Sequence, residues 1–455
     1  MLDFTPPSSV ERVALRINPC KTCQPVGAMY AALGVHGCMP LSHGSQGCAS
    51  YHRTVLSRHF KEPAIAVSSS FTEGASVFGG GSNIKTGVKN VFDIYKPDII
   101  AVHTTCLSET IGDDVRSFIQ EMTVPDGKHV VHANTPSYVG SHVTGYYNMM
   151  CGFINYLSAS TGQSNGRVAV FPGWMNPGDL RELRSLLESL SLDFVMFPDQ
   201  SGVMDSPLLG HYDMYPDGGT TIPEIVSLGD CRTALGLGDV ISTEPCRALE
   251  RKCKVPHRVL PYPIGVENTD DFVMEAASLS GIGSIPPCVE RERGQLIDIM
   301  VDSHQNYAGK TAAVFGDPDT VLGLMSFVLE LGMTPIYSVT GTPSEKFEAE
   351  AEKLLKKHGA EGCRAKSNAD LFELHQWIKR ERVDVLIGTT YGKQIAKAED
   401  IPFVRAGFPV LDRYVHSYMP IVGYKGAMRL VEMIANALME YRDRTCADED
   451  LEIVM

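Results

Sequence analysis

The chain has 455 residues, 44% of them hydrophobic and 21% charged, with a formal net charge of −14 at pH 7. That length predicts about three domains of roughly 150 residues each, and the composition is that of an ordinary folded protein, which excludes dominant disorder. No Lys/Arg run offers a phosphate-binding face and no run of about 18 apolar residues is present to span a bilayer, so neither nucleic acid nor a membrane is expected as a partner.

The first residues, MLDFTPPSSVER, lack both the basic start and the apolar core of a signal peptide, and the protein reads as cytoplasmic. Its twelve cysteines are then expected to be reduced thiols rather than a disulfide framework. Cys151, Cys231, Cys246, Cys253, Cys288, Cys363 and Cys446 are scattered and read as small buried hydrophobes.

In chain order, strand–turn–helix units recur. KPDIIAVHTTC (96–106) is an apolar strand ending in a turn, followed by a helical pattern through Met122. GRVAVFPGWMNPGDLRELRSLLESL begins as a strand, turns through Pro and Gly, and predicts a helix from about Pro177 to Leu190 ahead of the short strand in LDFVMFPD. A third unit opens near Lys310 with TAAVFGDPDTVLGLMSFVLELGMTPIYSVTG and includes EAEAEKLLKKHG (348–359), a solvated amphipathic helix. It continues with ADLFELHQWIKRERVDVLIGTTYG and closes on a long helix, roughly Lys425 to Arg442. Strands alternating with helices predict parallel sheets covered on both faces. The expected organisation is an N-terminal arm (1–25) and three doubly wound, Rossmann-like α/β domains, 26–165, 166–305 and 306–455, the first carrying most of the candidate ligands. Ligands in such domains gather at the C-terminal ends of strands.

Several motifs fall short of a known chemistry. FGGGSNIKT (78–86) approaches a phosphate-binding loop but has Ile84 where a second glycine must let the backbone wrap the phosphates, and it reads as a glycine-rich surface loop. FGDPD (315–319) follows a strand but lacks GxGxxG. No HExxH, GxSxG or kinase motif set is present. Cys20 and Cys23 form a CxxC, yet no second CxxC completes a zinc site and RINP stands where a redox motif needs a strand.

Three thiols share a different context. Cys23 precedes QPVGAMYAAL, with Pro25 in a favoured first-turn position; Cys48 precedes ASYHRTVLSRHF; Cys106 precedes LSETIGDDVRSFIQEM. Each stands where a turn enters a predicted helix. Free N–H groups and the helix dipole stabilise a thiolate there, and the same field suits an anionic iron–sulfur cluster. The glycine beside Cys48 lets the backbone approach a bulky inorganic core. Singly, each cysteine reads as structural rather than as a ligand. Together they point to a metal site, and three thiolates are fewer than the four usual protein ligands, which leaves a share for another chain.

KTCQPVGAMYA, HGSQGCASYHRTVLSRHFKEP, TEGASVFGGGSN, HTTCLSETIGDD, TPSYVGSHVTG and VGYKGAMRL closely resemble, in the same order, the beta chains of nitrogenase molybdenum–iron proteins. The likeness runs from about residue 15 to the C-terminal helix, and the short arm resembles the clostridial type. Sister beta chains of the vanadium and iron-only enzymes usually read HGGQGC and TTCSTE; HGSQGC and TTCLSE here favour the molybdenum form.

The resemblance implies that Cys23, Cys48 and Cys106 supply half the ligands of the eight-iron, seven-sulfur P-cluster, shared with the alpha chain of an α2β2 tetramer. Ser137 matches the serine whose oxygen joins an iron on oxidation; read alone, it is a hydroxyl satisfying a turn. Cys20 has no ligand counterpart. The iron–molybdenum cofactor resides in the alpha chain of the family. The beta chain relays electrons from the ATP-driven iron protein for reduction of dinitrogen to ammonia. Phe78 matches an aromatic residue at the iron-protein docking surface, and Tyr51 one between the P-cluster and the cofactor side; a loop residue and a packed Tyr are their plain alternatives.

In ERGQLIDIMVDSHQ, Asp298 and Asp302 lie four apart on a predicted helix, so their carboxylates share one face, as a solvated acidic face would. The resemblance implies instead a mononuclear calcium or iron between two beta chains, bound by Asp298, Asp302, Glu62 of the second copy, and the backbone carbonyl of Lys61. Rival readings of two classes remain at this point. One is a scaffold subunit for cofactor assembly, or the related protochlorophyllide reductase subunit, with the same fold. The other is a non-catalytic α/β binding protein with ordinary buried cysteines.

Overall fold

The computed structural model describes residues 17, 18 and 20–451. The stretch MLDFTPPSSVER, read above as lacking signal-peptide features, lies outside the described residues. Three parallel sheets organise the chain, which bears out the doubly wound α/β expectation. The first contains β1 (Cys38–His43), β2 (Val67–Ser68), β3 (Ile99–Thr104) and β4 (His129–Ala133) in the order β2-β1-β3-β4. The second contains β5 (Val168–Phe171), β6 (Phe194–Met196), β7 (Thr233–Leu237) and β8 (His257–Leu260), ordered β6-β5-β7-β8. The third contains β9 (Thr311–Gly316), β10 (Thr334–Thr340), β11 (Arg364–Lys366), β12 (Val385–Gly388) and β13 (Phe403–Arg405), ordered β11-β10-β9-β12-β13.

The helices around the first sheet matter most here. They are α1 (Gln24–Leu33), α2 (Gln46–Phe60), α3 (Glu73–Phe78), α4 (Gly81–Tyr95), α5 (Cys106–Ile111), α6 (Val115–Gln120) and α7 (His142–Leu157). Strand β3 is buried along its whole length because alternate side chains go to two different cores. Ile99 and Ala101 join Val131, Ala133 and the buried residues of α1 and α7. Ile100 and Val102 join Met39, Leu41 and the Ile84/Val88/Val91 stripe of α4, with Val115 and Ile119 of α6. Helices on both faces follow directly from that alternation.

Two local readings differ from the structure. The helical pattern after Cys106 is two helices, because Gly112 takes a left-handed conformation (φ 77°) and Asp114 then caps α6 through the N–H of Ser117. FGGGSNIKT is mostly helix: the loop is confined to Gly79 and Gly80, and α4 starts at Gly81. Asp113 accepts the N–H of Gly80 at 3.1 Å and so ties that turn to the segment between α5 and α6.

Candidate functional site

The C-terminal ends of three neighbouring strands deliver three candidate ligands. β1 and β3 pair in parallel register from Cys38 with Ile99 to His43 with Thr104, so their ends are level. From β1 the chain turns through Gly44 and Ser45 into α2, whose third residue is Cys48. From β3 it passes Thr105 directly into α5, whose first residue is Cys106. A side chain at Gly44 (φ 149°) would strike Thr105 Oγ1, so the glycine lets the two turns nest. Cys48 and Cys106 come within hydrogen-bonding reach of each other as a result. β4 pairs with β3 on its other side, and the loop after it carries Ser137.

Cys23 arrives from a different direction, as the N-cap of α1, with Pro25 in the first turn as expected. Its position is set by α7. A Cβ on Gly27 would collide with the His142 carbonyl, and one on Gly145 with the Gln24 carbonyl, so these two glycines let the helix backbones touch. Thus the thiol of Cys23 meets the Ser137 hydroxyl and lies near Cys48. Among the described residues no three His, Cys, Asp or Glu side chains approach closely enough to hold a single metal ion.

At Cys23 and Cys48 burial outweighs the field of the helix N-terminus. Burial pushes Cys23 up to about 11, although the Val26 N–H and the Ser137 hydroxyl oppose it. Burial, then the neighbouring Cys106, also raises Cys48. The upward shift that burial gives Cys23 and Cys48 fits a centre whose metal supplies the missing positive charge. That donor set suits an iron–sulfur cluster rather than a hard cation.

Around the thiols the surface is apolar and open: Tyr51 is 49% exposed, Tyr138 65% and Val139 50%. Tyr51 stands on the outward side of α2. Phe78, 89% exposed, ends α3 at the turn that Asp113 anchors. Cys20 belongs elsewhere: it is buried in the core of the third sheet, with its sulfur 3.7 Å from Thr389 Oγ1.

The carboxylate candidates form a separate region. Asp298 and Asp302 are exposed on the helix Pro287–Tyr307, among exposed Ile297, Ile299 and Val301. Lys61 is the left-handed C-cap of α2 (φ 65°), with its ammonium donating to the Leu411 carbonyl at 3.0 Å and lying over Tyr414. Glu62 meets the Tyr418 hydroxyl at 3.5 Å. One chain does not bring Glu62 together with Asp298 and Asp302 into a metal-binding group.

Several histidines under the thiols escaped the sequence reading. His52, one turn beyond Cys48, points inward and places Nε2 3.5 Å from Cys23 Sγ. His103 Nε2 meets Ser42 Oγ at 2.7 Å, and His43 Nε2 meets Asp113 Oδ2 at 3.0 Å. Their signal was spacing: His52 falls on the buried stripe Ala49/His52/Leu56/His59/Phe60 of α2.

The family described as nitrogenase component 1 type oxidoreductase matches residues 23–439. The nitrogenase molybdenum–iron protein beta chain of Clostridium pasteurianum is 57% identical over 458 aligned positions, covering 100% of both chains. The corresponding chain of Rippkaea orientalis is 41% identical over 444 positions, covering 95% of this chain and 86% of its own length. A solved structure titled nitrogenase Cp1 at pH 6.5 superimposes with a TM-score of 0.98 at 57% identity over 100% of both chains. No helix among the described residues is long and apolar enough to cross a membrane.

Proposed function

Since the chain belongs to the nitrogenase component 1 type oxidoreductases, as a beta chain of the molybdenum–iron protein, we propose that it holds half of a P-cluster through Cys23, Cys48 and Cys106. Ser137 is a further oxygen donor on oxidation. When bound, such a cluster supplies reversible electron storage between the ATP-driven iron protein and the iron–molybdenum cofactor of the alpha subunit, where dinitrogen is reduced to ammonia.

The observation that carries this reading is the convergence of three thiols and one hydroxyl from α1 and three adjacent strand ends, under an open apolar rim. Cys23, Cys48 and Cys106 bind iron as thiolates; the Val26 N–H and the Ser137 hydroxyl polarise the Cys23 sulfur. Tyr51, Tyr138 and Val139 exclude water once an alpha chain covers them. Phe78, beyond that rim, anchors the iron protein.

Asp298 and Asp302, with Lys61 and Glu62 of a second beta chain, hold the calcium or iron that joins two αβ halves. Exposed Ile297, Ile299 and Val301 beside the carboxylates support burial there against a second copy. Iron and acid-labile sulfide analysis of the co-purified αβ assembly tests the main reading: both are expected in stoichiometric amount and lost with Cys48→Ala. An assembly devoid of iron and sulfide would overturn it.

A further inference from the structure

We propose that His52 donates its Nε2–H to the Sγ of Cys23 and thereby sets how readily the centre at these thiols takes up an electron. This rests on the P-cluster reading above and extends it to a positioning residue that binds no iron. The two atoms lie 3.5 Å apart, within hydrogen-bonding distance for sulfur. His52 is 2% exposed, and burial holds the contact away from competing water.

The chemistry of the partner fixes the donor. An iron-bound thiolate carries no proton, so the contact is a hydrogen bond only when the hydrogen sits on Nε2. The rest of the ring agrees with that assignment. Nδ1 is buried without a partner, and a lone pair left unpaired there is more tolerable than an orphaned N–H. His103, its ring centroid 6.1 Å away, is engaged through its own Nε2 with Ser42 and does not compete for the sulfur.

Geometry explains why the donor comes from this position. Cys48 and His52 are one turn apart on α2, so both side chains lie on the same face of the helix, and the face that carries one thiol also presents the imidazole to another. The Val26 N–H at the start of α1, which bonds the Cys23 carbonyl at 3.2 Å, the Cys23 N–H and the Ser137 hydroxyl also favour negative charge on the Cys23 sulfur. Val26 cannot be removed by a side-chain change, whereas His52 can. Hydrogen bonds to cluster sulfurs withdraw electron density and favour the reduced state. No bond at His52 forms or breaks in the process; the electron arrives from the iron protein or, in a titration, from an electrode through a mediator.

The test is a mediator-coupled redox titration of the assembled α2β2 protein, read by paramagnetic resonance of the cluster, with His52→Leu and His52→Gln. His52→Leu should retain its iron and shift the one-electron equilibrium about tenfold toward the oxidised form, a midpoint about 59 mV more negative. His52→Gln, which keeps an N–H donor, should recover most of that shift. An unchanged midpoint in iron-replete His52→Leu overturns the proposal while leaving the P-cluster reading intact. Wild-type protein labelled with ¹⁵N-histidine supplies a readout that needs no variant. Pulsed resonance should detect one histidine nitrogen coupled to the cluster, and its absence would equally overturn the assignment. A wild-type assembly without iron and sulfide overturns the underlying reading itself.

Discussion

His142 Nε2 lies 2.9 Å from Asp317 Oδ1, and both side chains are buried where the first and third sheets meet. The contact is close but not in line for an ideal hydrogen bond. On its other side the imidazole is fixed: the Thr22 N–H donates to Nδ1 at 3.3 Å, while the His142 N–H donates to the Thr22 carbonyl at 2.9 Å. The ring hydrogen therefore sits on Nε2, toward the carboxylate. Thr22 directly precedes Cys23, so one histidine couples the placement of a candidate ligand to a carboxylate after β9.

His142→Leu should accordingly destabilise the assembled protein by about 2–3 kcal/mol, since it leaves the Thr22 N–H and Asp317 without a buried partner. Asp317→Asn, which keeps the shape, should cost less. Thermal unfolding of the assembly and its iron content are the measurements. Wild-type melting together with full iron in His142→Leu would show that the contact does not hold Cys23 in place.

Cys48→Ala and Cys106→Ala should each remove or badly disturb the cluster, while Cys20→Ala keeps its iron. The structure sharpens this contrast, because Cys20 packs in a different core beside Thr389. Its loss should cost on the order of 1 kcal/mol of packing and no iron. Equal iron in all three variants would count against the ligand assignment.

Ser137→Ala should leave the reduced cluster intact and alter the spectrum of the oxidised one, because a deprotonated hydroxyl is a hard donor suited to more oxidised iron. The Ser137 hydroxyl interacts with the Cys23 thiol, which places an oxygen donor beside one of the proposed ligands. An unchanged oxidised-state spectrum in the variant would contradict this role.

Asp298→Asn combined with Asp302→Asn should weaken assembly of the tetramer and leave the P-cluster spectrum alone, since the carboxylates stand on a different surface from the thiols. Chelation of the wild-type protein should act in the same direction. Sedimentation across a dilution series reads the assembly, and an undiminished tetramer in both experiments would leave only a solvated acidic face.

What the sequence determined by itself was local. TAAVFG followed by a turn and a helical pattern announces a strand and a helix, and the structure has β9 and a helix beginning at Pro318. Cys23 before Gln24-Pro25 and Cys106 after Thr105 are likewise readable as helix entrances, because capping depends on a few adjacent residues. Less was legible where a signal was buried or broken. β1 reads CMPLSH, buried on both faces and interrupted by Pro40, so it shows neither alternation nor an uninterrupted apolar run. The tertiary structure alone decided which strand ends are neighbours, and hence that Cys48 meets Cys106 and that His52 faces Cys23. It also decided that His142 reaches Asp317 across two sheets. These adjacencies follow from sheet order and helix packing, which are sums over contacts distant in the chain, and no short window of residues encodes them.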